Sequence, residues 1–126
     1  MAGTNYESKS RPMELDVPYT FFYPSGALKE KATNRNGARE GPYERFYESG
    51  VTAERGTYRN WMQEGLYERF YKTGAPMERG TYRNGVREGL YEWFYESGAP
   101  WMKSSYRNGK PEQHPEVFEA PMKIST

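Results

Sequence analysis

Catalysis and metal binding draw on a small set of side chains, and this chain is poor in them. His114 is the one histidine, cysteine is absent, and Asp16 is the one aspartate among 17 acidic residues in 126. Any nucleophilic triad would have to be built around His114, which lies in the proline-rich stretch Lys-Pro-Glu-Gln-His-Pro with no second imidazole to share a metal. The glutamates recur beside arginines, as in Glu54-Arg55 and Glu78-Arg79, and read as surface charge pairs of small individual worth. Paired-carboxylate chemistry would need burial to drive two pKa values apart. The glycines form neither GxGxxG nor GxxxxGK[ST], so no phosphate loop is expected. The inventory predicts no enzymatic activity, no cofactor and no metal site.

What the chain has instead is the chemistry of recognition. Twelve tyrosines, six phenylalanines and three tryptophans stand against four valines, four leucines and one isoleucine, so whatever packs here packs on rings. These rings recur with a period of 24 from Tyr19 to about Gly109. Tyr19, Tyr43, Tyr67 and Tyr91 are followed three and four residues later by Phe22/Tyr23, Phe46/Tyr47, Phe70/Tyr71 and Phe94/Tyr95, then by Gly26, Gly50, Gly74 and Gly98. Tyr58, Tyr82 and Tyr106 precede Asn60, Asn84 and Asn108, and Gly41, Gly65 and Gly89 close the units.

The elements that must position these rings are short strands. Arg-Asn-Gly at 35–37, 83–85 and 107–109 is a strong two-residue hairpin signal, because Asn and Gly both tolerate the positive φ of a type I′ turn. Glu-Ser-Gly and Lys-Thr-Gly place glycine where the other turns need a left-handed residue. The expected fold is all-β: a single-layer antiparallel meander of about eight strands built from four 24-residue repeats. At about 4.8 Å per strand it would be nearly 40 Å across. Alternation sends Tyr67, Arg69 and Tyr71 to one face and Leu66, Glu68 and Phe70 to the other. Residues 18–109 form the repeat sheet, 1–17 a flexible N-terminal segment, and 110–126 a proline-rich tail in which Phe118, Met122 and Ile124 could fold back as a cap.

Charge and hydropathy narrow the partners. A formal net charge of +1 argues against a phosphate-dominated footprint, so nucleic acid is not the leading partner. No stretch approaches the roughly 20 apolar residues of a spanning helix, and the first residues lack the apolar run of a secretory signal, which favours the cytosol.

The block Tyr67-x-Arg69-x-Tyr71-x-x-Gly74-x5-Gly80-Thr81-Tyr82 resembles the MORN repeat, whose unit is Tyr-x-Gly-x-Trp-x-x-Gly followed by Gly-Thr-Tyr. Tyr43 to Tyr58 matches equally and Tyr91 to Tyr106 more loosely, so the likeness covers about three quarters of the chain. Arg45, Arg69 and Trp93 stand where the family has the inner glycine, and Tyr47, Tyr71 and Tyr95 where it has the tryptophan. This form is similar to the bacterial MORN-repeat variant of antitoxin-like proteins. That resemblance implies a single-layer sheet with a protein-binding or neutralising role, the partner being a toxin, an effector or an enzyme to be inhibited.

Residues that break the repeat are the candidates for contact, since invariant ones serve the fold. Trp61 replaces the turn glycine of Gly37, Gly85 and Gly109, Trp93 replaces Arg45 and Arg69, and Trp101 replaces Ala53 and Met77. Trp and Tyr with Arg dominate binding hot spots, so the expected partner-binding set is Trp61, Trp93, Trp101, Tyr67, Tyr71, Tyr91, Tyr95 and Arg69 on an aromatic sheet face. Two alternatives stand beside it. One is a scaffold that self-associates through a sheet edge or the aromatic face. The other is peripheral membrane or single-stranded nucleic-acid binding through the Arg/Tyr ladder.

Overall fold

The computed structural model describes residues 16–120, and within them every regular element is a strand. In chain order these are β1 (Asp16–Phe22), β2 (Leu28–Arg35), β3 (Ala38–Arg39), β4 (Gly41–Phe46), β5 (Thr52–Arg59), β6 (Met62–Gln63), β7 (Gly65–Phe70), β8 (Pro76–Arg83), β9 (Val86–Phe94), β10 (Pro100–Arg107), β11 (Lys110–Pro111) and β12 (Glu116–Val117). All pair antiparallel in one sheet. Its path runs β1-β2-β4-β5-β7-β8-β9-β10-β11, with β3, β6 and β12 alongside β2, β5 and β10.

This is the expected single-layer meander, with twelve strands rather than about eight. Two of the extra strands arise because Gly41 and Gly65, at φ 87°, kink the outgoing strand and detach β3 and β6 from β4 and β7. The other two, β11 and β12, come from the proline-rich tail.

The turns follow the residues that permit them. Asn36-Gly37, Asn84-Gly85 and Asn108-Gly109 have positive φ at both positions, as a type I′ hairpin requires. Asn60-Trp61 adopts the same turn, at φ 50° and 70°, with no glycine to ease it. At the opposite ends of the strands, Tyr23, Tyr47, Tyr71 and Tyr95 each bond through N–H to the carbonyl four residues on, while Gly26, Gly50, Gly74 and Gly98 bond back to the tyrosine carbonyl. A register shift recurs beside this turn, between Phe21 and Phe22, Arg45 and Phe46, and Arg69 and Phe70, and such bulges strengthen the local twist.

The core lies on one face of the layer. Tyr43 and Tyr67 stand opposite Gly56 and Gly80, and Gly80 also faces Tyr91, so each ring lies over backbone that carries no side chain. A Cβ on Gly80 would sit 2.0 Å from the Tyr91 ring, which is why that position is glycine. Tyr91 has no exposed surface, and Tyr43, Tyr67 and Ala32 are buried with it.

The ends of the array differ from the boundaries drawn on the sequence. β1 begins at Asp16, inside the segment expected to be flexible, and Arg35 holds Asp16 through a two-pronged ion pair at 2.6 and 3.1 Å. In the tail, β11 and β12 pair with β10, and Phe118 N–H bonds to the Trp101 carbonyl at 2.7 Å. Met122 and Ile124, expected as further parts of a cap, lie outside the described residues.

Candidate functional site

On the tyrosine face, most polar side chains bond to one another, Asn34 Oδ1 and Ser104 Oγ being buried without a partner among the described residues. Tyr43 donates to Glu54 at 2.7 Å and accepts from Gln63 at 2.8 Å, while Tyr91 donates to Glu78 at 2.6 Å. Arg45 pairs with Glu54 at 2.8 Å and Arg69 with Glu78 at 3.3 Å. Arg39 pairs with the buried Glu30 at 3.0 Å. Burial pushes the Tyr43, Tyr67 and Tyr91 hydroxyls above the usual phenol range, and the carboxylates of Glu54 beside Tyr43 and Tyr67 and of Glu78 beside Tyr91 push the same way. Rings pack on rings as well, Tyr67 against Tyr82 edge-on at 5.4 Å and Tyr43 against Tyr58 at 4.9 Å.

The sequence neighbours Glu54-Arg55 and Glu78-Arg79, expected as charge pairs, point to opposite faces. Their partners lie across the strands. Lys31, Arg55, Arg79 and Lys103 pair with Glu44, Glu68, Glu92 and Glu116 at 3.8, 2.7, 3.3 and 3.7 Å. Each cation also lies over the phenylalanine two residues beyond that glutamate, Phe46, Phe70, Phe94 or Phe118, at 5.2–5.9 Å from the ring centre. This second face carries an open trough of about 590 Å³ lined by Pro18, Thr20, Pro42, Thr57 and Leu66 among others.

A third periodic bond stitches the units at their outer ends. The hydroxyls of Tyr23, Tyr47, Tyr71 and Tyr95 donate to the carbonyls of Phe46, Phe70, Phe94 and Phe118 at 2.5–2.8 Å.

The predicted site residues therefore do not form one platform. Tyr91 is fully buried and Tyr67 nearly so, which removes them from direct contact with a partner; they hold the fold. Tyr71 and Tyr95 are half-buried and tie one unit to the next. Arg69 is exposed but engaged by Glu78. Trp93 is half-buried against Tyr91 at 4.9 Å and under the Arg87 guanidinium at 5.3 Å. It faces Met102 in register, so the Arg45–Glu54 and Arg69–Glu78 pairs of earlier units become Trp93–Met102 in the last. Trp101, 41% exposed, lies 6.2 Å from Tyr95 at the end of the sheet opposite Trp61.

Trp61 is different, being 62% exposed at a hairpin tip. Each tip from the second repeat onward is pinned to the unit before it. The amides of Trp61, Gly85 and Gly109 bond to the carbonyls of Arg39, Gln63 and Arg87 at 3.0–3.2 Å. Asn60, Asn84 and Asn108 N–H groups bond to Glu40, Glu64 and Glu88 carboxylates at 2.9–3.1 Å. Along this stitched edge Met62 and Val86 follow the turns and are exposed, Met62 within van der Waals distance of a Cβ built on Gly85. Arg59 and Arg83, which open the second and third turns, have no ionic partner among the described residues. Met62, Val86, Arg59 and Arg83 were missed by reasoning from broken repeats, because a row along an edge is made by stacking turns that are far apart in sequence.

A twelve-stranded single layer made of a repeated hairpin, its tyrosines seated on glycines, defines a tandem-repeat β array. The chain matches the MORN repeat variant over residues 15–34, 39–60, 63–84 and 87–108, and it belongs to that family. No curated protein matches it. Among the described residues no helix is long and apolar enough to cross a membrane.

Proposed function

We propose that this chain is a non-enzymatic protein-binding module, working in the cytosol, that neutralises or inhibits a partner protein by covering it, as antitoxin and immunity proteins do. Its contact surface is the hairpin edge around Trp61 rather than the interior of the tyrosine face. One observation carries this reading: a tryptophan in the left-handed conformation, 62% exposed, where the other three repeats place glycine. A non-glycine residue held there costs about 1 kcal/mol or more, and strain of that kind clusters at binding sites. Met62 beside it, with Arg59 and Arg83, which have no ionic partner among the described residues, supply the apolar and cationic contacts that interface centres favour.

The test is affinity capture from the native source with mass spectrometry, followed by binding of the captured partner to variants. Trp61→Gly is expected to raise the melting temperature, by relieving the turn, and to weaken binding by about 2 kcal/mol or more. Trp93→Ala is expected to lower the melting temperature instead. Native affinity in Trp61→Gly would remove the hairpin edge from consideration.

A second reading, self-association as a scaffold, is supported by β1. Among the described residues it is paired on one side only, and it exposes Val17 and Phe22. Pro18 within it removes one donor from the strand, which limits edge pairing. Sedimentation equilibrium separates the two, since the binding module stays monomeric without its partner.

A further inference from the structure

The tail segment Glu116-Val117-Phe118 copies the start of a fifth repeat. These residues stand 24 positions after Glu92-Trp93-Phe94, and they make the same contacts. Lys103 faces Glu116 as Arg79 faces Glu92, and Met102 faces Val117 as Glu78 faces Trp93. Lys103 lies 3.7 Å from the Glu116 carboxylate and over the Phe118 ring. Tyr95 donates to the Phe118 carbonyl at 2.8 Å, as Tyr71 does to Phe94.

β4, β7 and β9 are each held on their far side by a return strand, β5, β8 or β10. Among the described residues β12 is two residues long and pairs with β10 alone, and Val117 and Glu116 are well exposed. The repeat joint is thus an extended-strand receptor, in which Lys103 offers a cation to the bound strand's carboxylate and ring, Tyr95 a hydroxyl and Trp101 a carbonyl. Here the described part of its occupant is the short strand β12, paired with β10.

We infer that the outer edge of β10 is a strand-capture site for an extended Glu-x-Phe segment, and that residues 116–118 fill it in cis until a partner strand of the same chemistry replaces them. Main-chain pairing supplies affinity in such strand addition, and the side-chain clamp supplies selectivity. The tether gives the tail an effective concentration on the order of millimolar, so the native chain resists free peptide and yields to a partner held nearby by other contacts. The site is independent of the Trp61 edge.

The probe is a fluorescently labelled peptide with the sequence of residues 112–120, titrated by anisotropy into the full chain and into the full chain carrying Glu116→Lys and Phe118→Ala. The peptide is expected to bind the variant chain at least tenfold more tightly than the native chain. A peptide carrying the same two substitutions should bind the variant at least tenfold more weakly than the native-sequence peptide. A folded variant that fails to bind, or that binds both peptides equally, overturns the inference and leaves the tail as a terminal cap. Where the double variant loses its β circular dichroism, Phe118→Ala alone is read in the same way. Loss of the sheet in that variant too would show a cap the fold requires, which also overturns exchange.

Discussion

Two glycines of the same column predict different penalties for the same substitution. A Cβ on Gly80 falls 2.0, 2.4 and 2.6 Å from three atoms of the Tyr91 ring, which is fully buried and pinned through its hydroxyl to Glu78. That ring has no room to withdraw. A Cβ on Gly56 meets the Gln63 amide oxygen at 3.0 Å and the Tyr43 ring edge at 3.1 Å, groups nearer the ends of their side chains that shift by tenths of an ångström. Gly80→Ala is therefore expected to cost about 3 kcal/mol, at the upper end for overpacking, and Gly56→Ala about 1 kcal/mol. Chemical denaturation of the two variants side by side checks this, and equal costs would mean that Tyr91 is freer to move than its burial implies. Residue identity alone showed both glycines repeating; that one of them faces tyrosines on both of its neighbouring strands is a fact of register.

At the scale of the hairpin, Asn84-Gly85 is the unit to disturb. Both residues have positive φ, and the tip is tied to the preceding unit through Gly85 N–H to Gln63 and Asn84 N–H to Glu64. Replacing the pair by Ala-Ala keeps those amides but puts two β-carbons where the backbone resists them, and the expected loss is about 1 kcal/mol or more. An unchanged melting temperature would place the turn elsewhere. This element was legible because Asn-Gly specifies its own geometry within two residues, and the alternation of Tyr67 and Arg69 with Leu66 and Glu68 likewise fixed which face each would take. The ion pairs were not legible. Arg55 stands beside Glu54 in sequence yet binds Glu68, 13 positions away, because neighbours in a strand point apart and only the pairing register names the partner. In the tail, Phe118 does fold back as the cap reading allowed, but three prolines hid that Glu116 and Phe118 keep the 24-residue step from Glu92 and Phe94.

At the scale of the whole sheet, the described residues form one layer that buries a row of phenols. Tyr43, Tyr67 and Tyr91 have hydroxyls raised by burial above the ordinary value of 10.0, with Glu54 beside the first two and Glu78 beside the third opposing ionisation further. In the unfolded chain the same groups ionise near that ordinary value. Because the folded pKa lies above the unfolded one, the protonated form is the one the fold favours, so the stability tied to these groups is intact below about pH 10. As pH rises beyond it the unfolded chain releases protons that the folded chain retains, and stability falls with each further step. The melting temperature is expected to hold level through neutral and mildly alkaline pH and then to drop above about pH 10, with Tyr43, Tyr67 and Tyr91 ionising as the chain unfolds. Arginine stays charged through this range, so most of the cross-strand pairs persist and the loss belongs to the phenols. Tyr91→Phe isolates the effect. It gives up the bond to Glu78 at neutral pH, so its melting temperature starts lower, but with one fewer raised phenol its decline above pH 10 is shallower than that of the native chain. Parallel declines for the two proteins would show that Tyr91 is not among the groups that set the alkaline limit.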